Sequence, residues 1–455
     1  MKRAAALVLL ACGSCHPHAA THPAKTTSIA SCSYEVALRA NGTAHVDASC
    51  GASGAVTFRA PQLLLRDLHD LPPSKSGRFA ANAGKLSYSV DLATLSTRGR
   101  DIDLAAHLAD SFFAPMSNVL LVPEPLTTEI PVKVHVSAES GLSYAVGLTR
   151  DKAPDTYQLM AHEIPVATYF AFGKLQQREL DLNGAKLEVT RLDGELDQSF
   201  DDVTQWIRTS ANAVRDFYGA FPVPRASLSV LPIPERDAVV FGKVLPESEP
   251  GVALLLGQHA TRKSLYSDWI LVHELFHLGF PSFFEEGKWL DEGLATYYEP
   301  VIRVRAGLYT ETELWNELEK DMPQGLPAFT TGGLEQANDF RGIYWGGAIA
   351  SLVADVEARK RKVDAGLEVG LRALRDAGGT ACEVWTLAEV VGAVDHALGA
   401  PTLEPIVRDH AQRGSPFDLH ALFQQLGVNR DAQGAVQLSD SAPLAAVRRA
   451  ITAKP

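Results

Sequence analysis

No run of this 455-residue chain approaches the roughly 18 consecutive apolar residues that a membrane-spanning helix needs. Positive charge is in deficit. The 42 Lys and Arg against 54 Asp and Glu leave a net charge of −12, which argues against nucleic acid or an anionic membrane surface as a partner. Cysteine is scarce, with 5 in all, so each can be accounted for singly. There is no internal repeat of 20 to 50 residues. What remains, 46% hydrophobic and 21% charged residues, is the profile of a globular protein able to bury sizeable cores, of a length for two to three domains.

The N-terminus departs from that profile. Lys2 and Arg3 precede the short apolar stretch AAALVLLA, residues 4–11, the pattern of a secretory signal. LLAC, ending at Cys12, resembles the bacterial lipobox. That resemblance implies a lipidated Cys12 as the first mature residue, attachment to a membrane, and a location facing the periplasm or cell surface. Gly13 stands where an aspartate is associated with inner-membrane retention. A plain signal peptide cleaved nearby is the alternative. Residues 13–28, GSCHPHAATHPAKTTS, read as a disordered tether, in which His16, His18 and His22 are expected to be solvated and not to collect metal.

Export makes disulfides permissible. Cys32 and Cys50 flank CSYEVALRANGTAHVDASC, two alternating runs about Asn41-Gly42, a hairpin turn signal. Folding there brings the two cysteines opposite each other, so a Cys32–Cys50 bridge is predicted. Cys382 is expected to be a buried thiol, and Cys15 falls in the tether.

Residues 31–189 alternate in short runs, VTFRA, LSYSVDL, NVLLV, VKVHV, TYFAFG and KLEVTRL, broken by Gly, Pro and Asn. The pattern predicts an all-β, sandwich-like region. Near Ser199 the period changes. Phe200, Val203, Trp206, Ile207, Ala211, Val214 and Phe217 form one helical stripe, and LSVLPI and VALLLG then read as strands. Beyond Glu299 almost everything reads helical, including a capping box at Thr310 to Glu313. The expected organisation is multidomain α+β: signal and tether at 1–28, a β-sandwich-like domain at 29–195, an α/β domain at 196–300 and a helical domain at 301–455.

HELFH, residues 273–277, carries the chemistry. Ser267 is expected to cap its helix, Asp268 to complement the dipole, and Gly279 with Pro281 to end it. His273 and His277, four apart, project from one face, as two of the three protein ligands of a catalytic zinc must. Glu274, one step round, leans over the open position, where it can take a proton from water and pass it to a leaving amine. Two histidines on one face can equally cap a core or bond carbonyls; the following stretch decides. In FPSFFEEGKWLDEGLATYYE, Trp289, Leu290, Leu294 and Tyr297 form a stripe that packs a second helix on the first. Glu292, after 14 intervening residues at 278–291, is the expected third ligand. Glu285, Glu286, Asp291 and Glu299 are the alternatives, although Glu285 and Glu286 read as loop and Asp291 points about 100° away from Glu292.

HELFH followed by WLDEGLATYY resembles the gluzincin metallopeptidases, and among them the glycyl aminopeptidase family, from about Tyr34 to Leu374. The resemblance includes a β-rich region before the zinc helix and the stretch YWGGAIASLVADVEARK from Tyr344. It implies a thermolysin-like α/β peptidase domain at 196–300 and Zn²⁺ held by His273, His277 and Glu292. It also implies Glu274 as general base and Tyr344 as the hydroxyl that stabilises the oxyanion. The chain departs from the family in three ways. Gly346 stands where relatives carry Lys. The interval from His277 to Glu292 is shorter than in aminopeptidase N relatives. After Leu422 there is too little chain for a PDZ domain. FGKVLPESEPGVALLLG corresponds to the strand that anchors a substrate amine, with Glu247 or Glu249 as the acid. VALLLG is expected at the sheet edge, where a peptide can add as a strand. The implied function is a zinc metallopeptidase acting on peptide or protein substrates, aminopeptidase or endopeptidase. The alternatives are a non-catalytic lipoprotein that keeps the fold to bind peptides or partners, and a metal-dependent hydrolase of another amide or ester.

Overall fold

The hairpin about Asn41-Gly42 forms as its alternation dictates. A computed structural model describes residues 28–99, 101–127, 129–246, 249–283 and 286–454. In it β1 (Ile29–Leu38) pairs antiparallel with β2 (Thr43–Ala52). Every second residue is buried, and Gly42 takes the left-handed φ of 85° that the turn requires. Cys32 stands opposite Cys50 in the register, and the two are disulfide-bonded across a separation of 18 residues. Replacing both by alanine is expected to cost about 3 kcal/mol, the chain-entropy value for a loop of this size, read as a lower urea midpoint. Cys12, Cys15, His16, His18, His22, Glu247 and Glu285 lie outside the described residues. Among the described residues no helix is long and apolar enough to cross a membrane.

β1 and β2 lie at the centre of a seven-stranded sheet, with β3 (Pro131–Ala138) parallel to β1. A four-stranded sheet packs on the same core, contributing Phe112, Phe170 and Phe172. Within this region NVLLV is not a strand except at its last residue, Val122, which begins a short one. Residues 116–118 form a 3-10 turn, and Leu120 and Leu121 are buried in the loop after it. The Tyr34 and Tyr88 hydroxyls donate to the carbonyls of Leu121 (2.6 Å) and Val119 (2.9 Å), so side chains satisfy backbone that a ladder would otherwise hold.

A five-stranded sheet follows: β4 (Gln176–Asp181), β5 (Lys186–Arg191), β6 (Arg225–Ile233), β7 (Val239–Leu245) and β8 (Gly251–Gly257), in the order β4-β5-β6-β8-β7. Two expectations are corrected by this order. KLEVTRL, which is β5, joins this sheet and not the N-terminal β region, because it pairs parallel with β6. VALLLG, in β8, is interior: β6 covers one side and β7 the other, and β7 is the edge. A small core of Phe113, Tyr169, Leu192, Leu231 and Ala253 joins the β region to this sheet.

The helices cover the sheet in one continuous core that runs from Leu180 to Ile451. They are α1 (Phe200–Tyr218), α2 (Ile270–His277), α3 (Lys288–Ala306), α4 (Glu311–Asp321), α5 (Gly347–Arg361), α6 (Glu368–Asp376), α7 (Leu387–Leu398), α8 (Leu419–Leu426) and α9 (Ala445–Thr452). α3 passes through Pro300 without ending, so the expected boundary at 300/301 falls inside a helix. Thr310 and Glu313 form the expected capping box on α4. Cys382 is half-buried, not buried.

Candidate metal centre

α2 is short, and its ends are held by neighbours. Ser267 does not cap it, because it closes the preceding turn at Arg262–Tyr266. The Asp268 carboxylate instead accepts the Leu271 N–H at 3.0 Å. At the other end Tyr218 of α1 donates to the Phe276 carbonyl at 3.1 Å. Gly279 lies against the Tyr218 ring, where a Cβ would come within 2.3 Å. α3 is placed by Glu335, a residue no motif singles out. Its carboxylate accepts the Trp289 indole N–H at 2.6 Å and the Gly287 N–H at 3.0 Å.

These supports bring His273, His277 and Glu292 together. Glu292 Oε2 lies 3.3 Å from His273 Nε2 and 3.5 Å from His277 Nε2. The ligand-type atoms of all three lie within 4.8 Å of one another. Tetrahedral zinc bonds of about 2.0–2.2 Å set ligand atoms about 3.3–3.6 Å apart, so the donor set and its spacing fit that ion. Burial alone would raise the Glu292 carboxyl, but the two imidazoles pull it well below the usual carboxylate range. Burial also lowers His273. On His277 the carboxylates of Asp291 and Glu292 outweigh burial and hold the imidazole well above its ordinary value.

Asp291 is not a member of that cluster, yet it is part of the site. Its Oδ1 accepts from His277 Nδ1 at 2.7 Å, which fixes the tautomer that turns Nε2 toward Glu292. Consecutive residues on α3 thus hold the two nitrogens of one ring. Among the described residues His273 has no such partner, and its Nδ1 is buried without a hydrogen bond. Its ring is positioned by packing between Trp269, 5.6 Å away edge-on, and Tyr344, 6.0 Å away and parallel. Glu299 is buried against Arg303 at 2.8 Å, and Glu286 is exposed on the cleft wall; neither belongs to the cluster of His273, His277 and Glu292 found among the described residues.

The cluster forms the floor of a cleft of about 660 Å³, lined on one side by β7 and on the other by Phe280 to Phe283. Glu274 is in it, raised to about 7 by burial. It passes directly under Gly242 of β7, where a Cβ would meet its Cγ at 2.5 Å. Gly242 lies in the FGKVLPESEPGVALLLG stretch, but that stretch did not reveal its contact with Glu274. Tyr344 lines the same cleft from the π-helical turn Arg341–Gly346. Burial and the Glu292 carboxylate raise its phenol, which stays a proton donor. Glu249 is elsewhere: it is buried 4.0 Å from Arg225 and does not line the cleft.

No protein-family model matches the chain, and no curated protein matches it in sequence. Among solved structures, it superposes on the aminopeptidase N family protein of Idiomarina loihiensis with a TM-score of 0.68 at 14% identity, over 90% of this chain and 82% of that one. The two share a fold, and it is the fold that the HELFH and WLDEGLATYY motifs lead one to expect. The M1 zinc metallopeptidase of Deinococcus radiodurans superposes with a TM-score of 0.48 at 13% identity, over 86% of this chain and 95% of that one. A mutant of that enzyme bound to a Tyr-Ser-Ala substrate gives 0.49.

Proposed function

We propose that this chain, which has the fold of an aminopeptidase N family protein, is a zinc-dependent metallopeptidase of the gluzincin type. The observation that carries the proposal is the convergence of two imidazole nitrogens and one carboxylate oxygen at 3.3 and 3.5 Å in the floor of an open cleft, with Glu274 beside them. Zinc held there by His273, His277 and Glu292 would supply a Lewis acid that polarises the scissile carbonyl and acidifies a water molecule. The chain's own groups do the rest. The Glu274 carboxylate takes the proton of the attacking water and delivers it to the leaving nitrogen. The Tyr344 hydroxyl donates to the carbonyl oxygen as negative charge develops on it. The free edge of β7 offers backbone N–H and C=O groups to an extended peptide.

An intact Glu274 weighs against a purely binding protein, because a metal that only holds the fold needs no base beside it. The test is direct. Purified protein should contain one zinc per chain and cleave members of a mixed peptide library, and chelation should abolish cleavage until zinc is returned. Protein that takes up no stoichiometric metal overturns the reading. Digesting one peptide beside its N-acetylated copy then separates the two modes, since an aminopeptidase cuts only the free-amine form. Of the two carboxylates that the sequence offers for that amine, Glu247 lies outside the described residues and Glu249 is buried 4.0 Å from Arg225.

Asp291→Ala should weaken zinc binding about 10–100-fold, the usual cost of losing the group that orients a ligating histidine. Competition with a chromogenic chelator measures this. Activity should return at saturating zinc, because the three ligands and Glu274 remain.

A further inference from the structure

The metal cleft is not the largest cavity among the described residues. A groove of about 870 Å³ lies beside it, walled by α7 and by residues from Glu404 to Gln412. Its lining includes Leu387, Val391, Val407 and Ala411. Two observations join it to the cleft. Glu286 lines both cavities. In addition, the strip at 381–385 that leads into α7 is bonded to the cleft wall itself. Ser282 N–H donates to the Glu383 carbonyl at 3.0 Å, and Trp385 N–H donates to the Ser282 carbonyl at 3.1 Å. Ala381 at the start of this strip lines the cleft, Leu387 just past its end lines the groove, and Val384 between them is exposed.

Gly392 gives the groove wall its shape. It sits mid-helix in α7, where glycine is a poor helix former. Glycines elsewhere in the helical layer admit a neighbour: a Cβ at Gly370 would meet Val394 at 2.6 Å. A Cβ at Gly392 meets nothing within 4 Å. No packing partner requires the missing side chain, and the space it leaves is the open groove that Gly392 lines.

We infer that this groove is a remote part of the substrate site, which binds a large apolar side chain of the peptide whose scissile bond lies over the metal centre. The inference rests on the peptidase reading. Continuity with the cleft identifies the occupant: Glu286 lines both cavities, so a peptide held in the cleft reaches the groove by passing this residue. Preferred substrates are therefore oligopeptides or unfolded protein segments with an apolar residue at a set distance from the cut, and not di- or tripeptides.

The experiment uses zinc-loaded full chain carrying Glu274→Gln and a set of fluorescein-labelled decapeptides. In these a single leucine is walked through a serine-glycine background, and binding is read by fluorescence anisotropy. One narrow window of leucine positions should bind about tenfold tighter than serine, the gain from burying one large apolar side chain. Gly392→Trp, which fills the groove, should remove that gain, as should Val391→Asp, while kcat/KM on a tetrapeptide measured with Glu274 intact stays unchanged. A leucine advantage that survives both substitutions, or one that shows no positional window, overturns the inference. So does a chain that sediments as a dimer until Gly392→Trp makes it monomeric, which would assign the groove to a second copy. Should no peptide be cleaved while Gly392→Trp still removes the leucine advantage, the groove stands and the peptidase reading falls.

Discussion

Glu274→Gln is expected to slow peptide cleavage about 10³-fold, within the range attributed to a positioned general base, while the protein keeps its zinc and its melting temperature. The size follows from what the amide retains and what it loses. Glutamine has the shape of glutamate, so it still fits beneath Gly242, where the glutamate Cγ lies 2.5 Å from the position of an added Cβ. It is not one of the three clustered residues that could hold a metal, so metal content should not change. What it cannot do is accept a proton. Burial raises the Glu274 carboxyl to about 7, and a divalent cation held in the neighbouring cluster would draw it back down and favour the carboxylate at neutral pH. Kinetics on any peptide the parent cleaves, with zinc determined on the same sample, make the measurement. A variant that cleaves within tenfold of the parent would remove Glu274 from its assigned role.

Gly347→Ala is expected to destabilise the protein by about 3 kcal/mol, at the upper end of ordinary overpacking, and to lower kcat by about 10²-fold. α3 and α5 cross with their backbones in contact. A Cβ at Gly347 would lie 1.9 Å from the Trp289 carbonyl oxygen, and one at Gly293 would lie 2.2 Å from the Gly347 carbonyl carbon. Neither obstacle is a side chain that can turn away, so the added methyl must push the helices apart. Glu292 precedes Gly293, and Tyr344 lies three residues before Gly347. A shift at the crossing therefore moves the Glu292 carboxylate and the Tyr344 phenol relative to each other, and such misplacement is what would lower kcat. Urea denaturation and single-turnover kinetics read the two effects. An alanine variant with parental stability and rate would show that the close approach carries neither.

The convergence of His273, His277 and Glu292 was legible because its pieces are local. A four-residue step on a helix puts two imidazoles on one face whatever lies around it. WLDEGLATYY announces a second helix that must bury Trp289, Leu290, Leu294 and Tyr297, and all four are buried. Asp291 was the instructive miss. Helical geometry correctly turns it away from Glu292, yet an imidazole has two nitrogens on opposite sides, and a residue unsuited to ligation is well placed to orient the ring. The sheet order was not legible at all. β7 and β8 are consecutive runs of similar character, and only the pairing of β8 with β6 makes β8 interior and leaves β7 at the cleft. Glu335 and Gly392 belong to no motif, and the stretch that contains Gly242 gave no sign of its contact with Glu274, since each matters through something distant in sequence that it touches or leaves open.

By itself, then, the order of residues determined the hairpin with its paired cysteines, the helical stripes, and the trio His273, His277 and Glu292 with Glu274 alongside. Periodicity, turn chemistry and short-range spacing act over a few residues and need no partner to be read. Only the folded chain decided which strand borders the cleft, how Asp291 serves His277, how nearly α3 and α5 touch, and that a groove opens beside the metal centre. Those features arise from contacts between segments far apart in sequence, and close packing in three dimensions selects them.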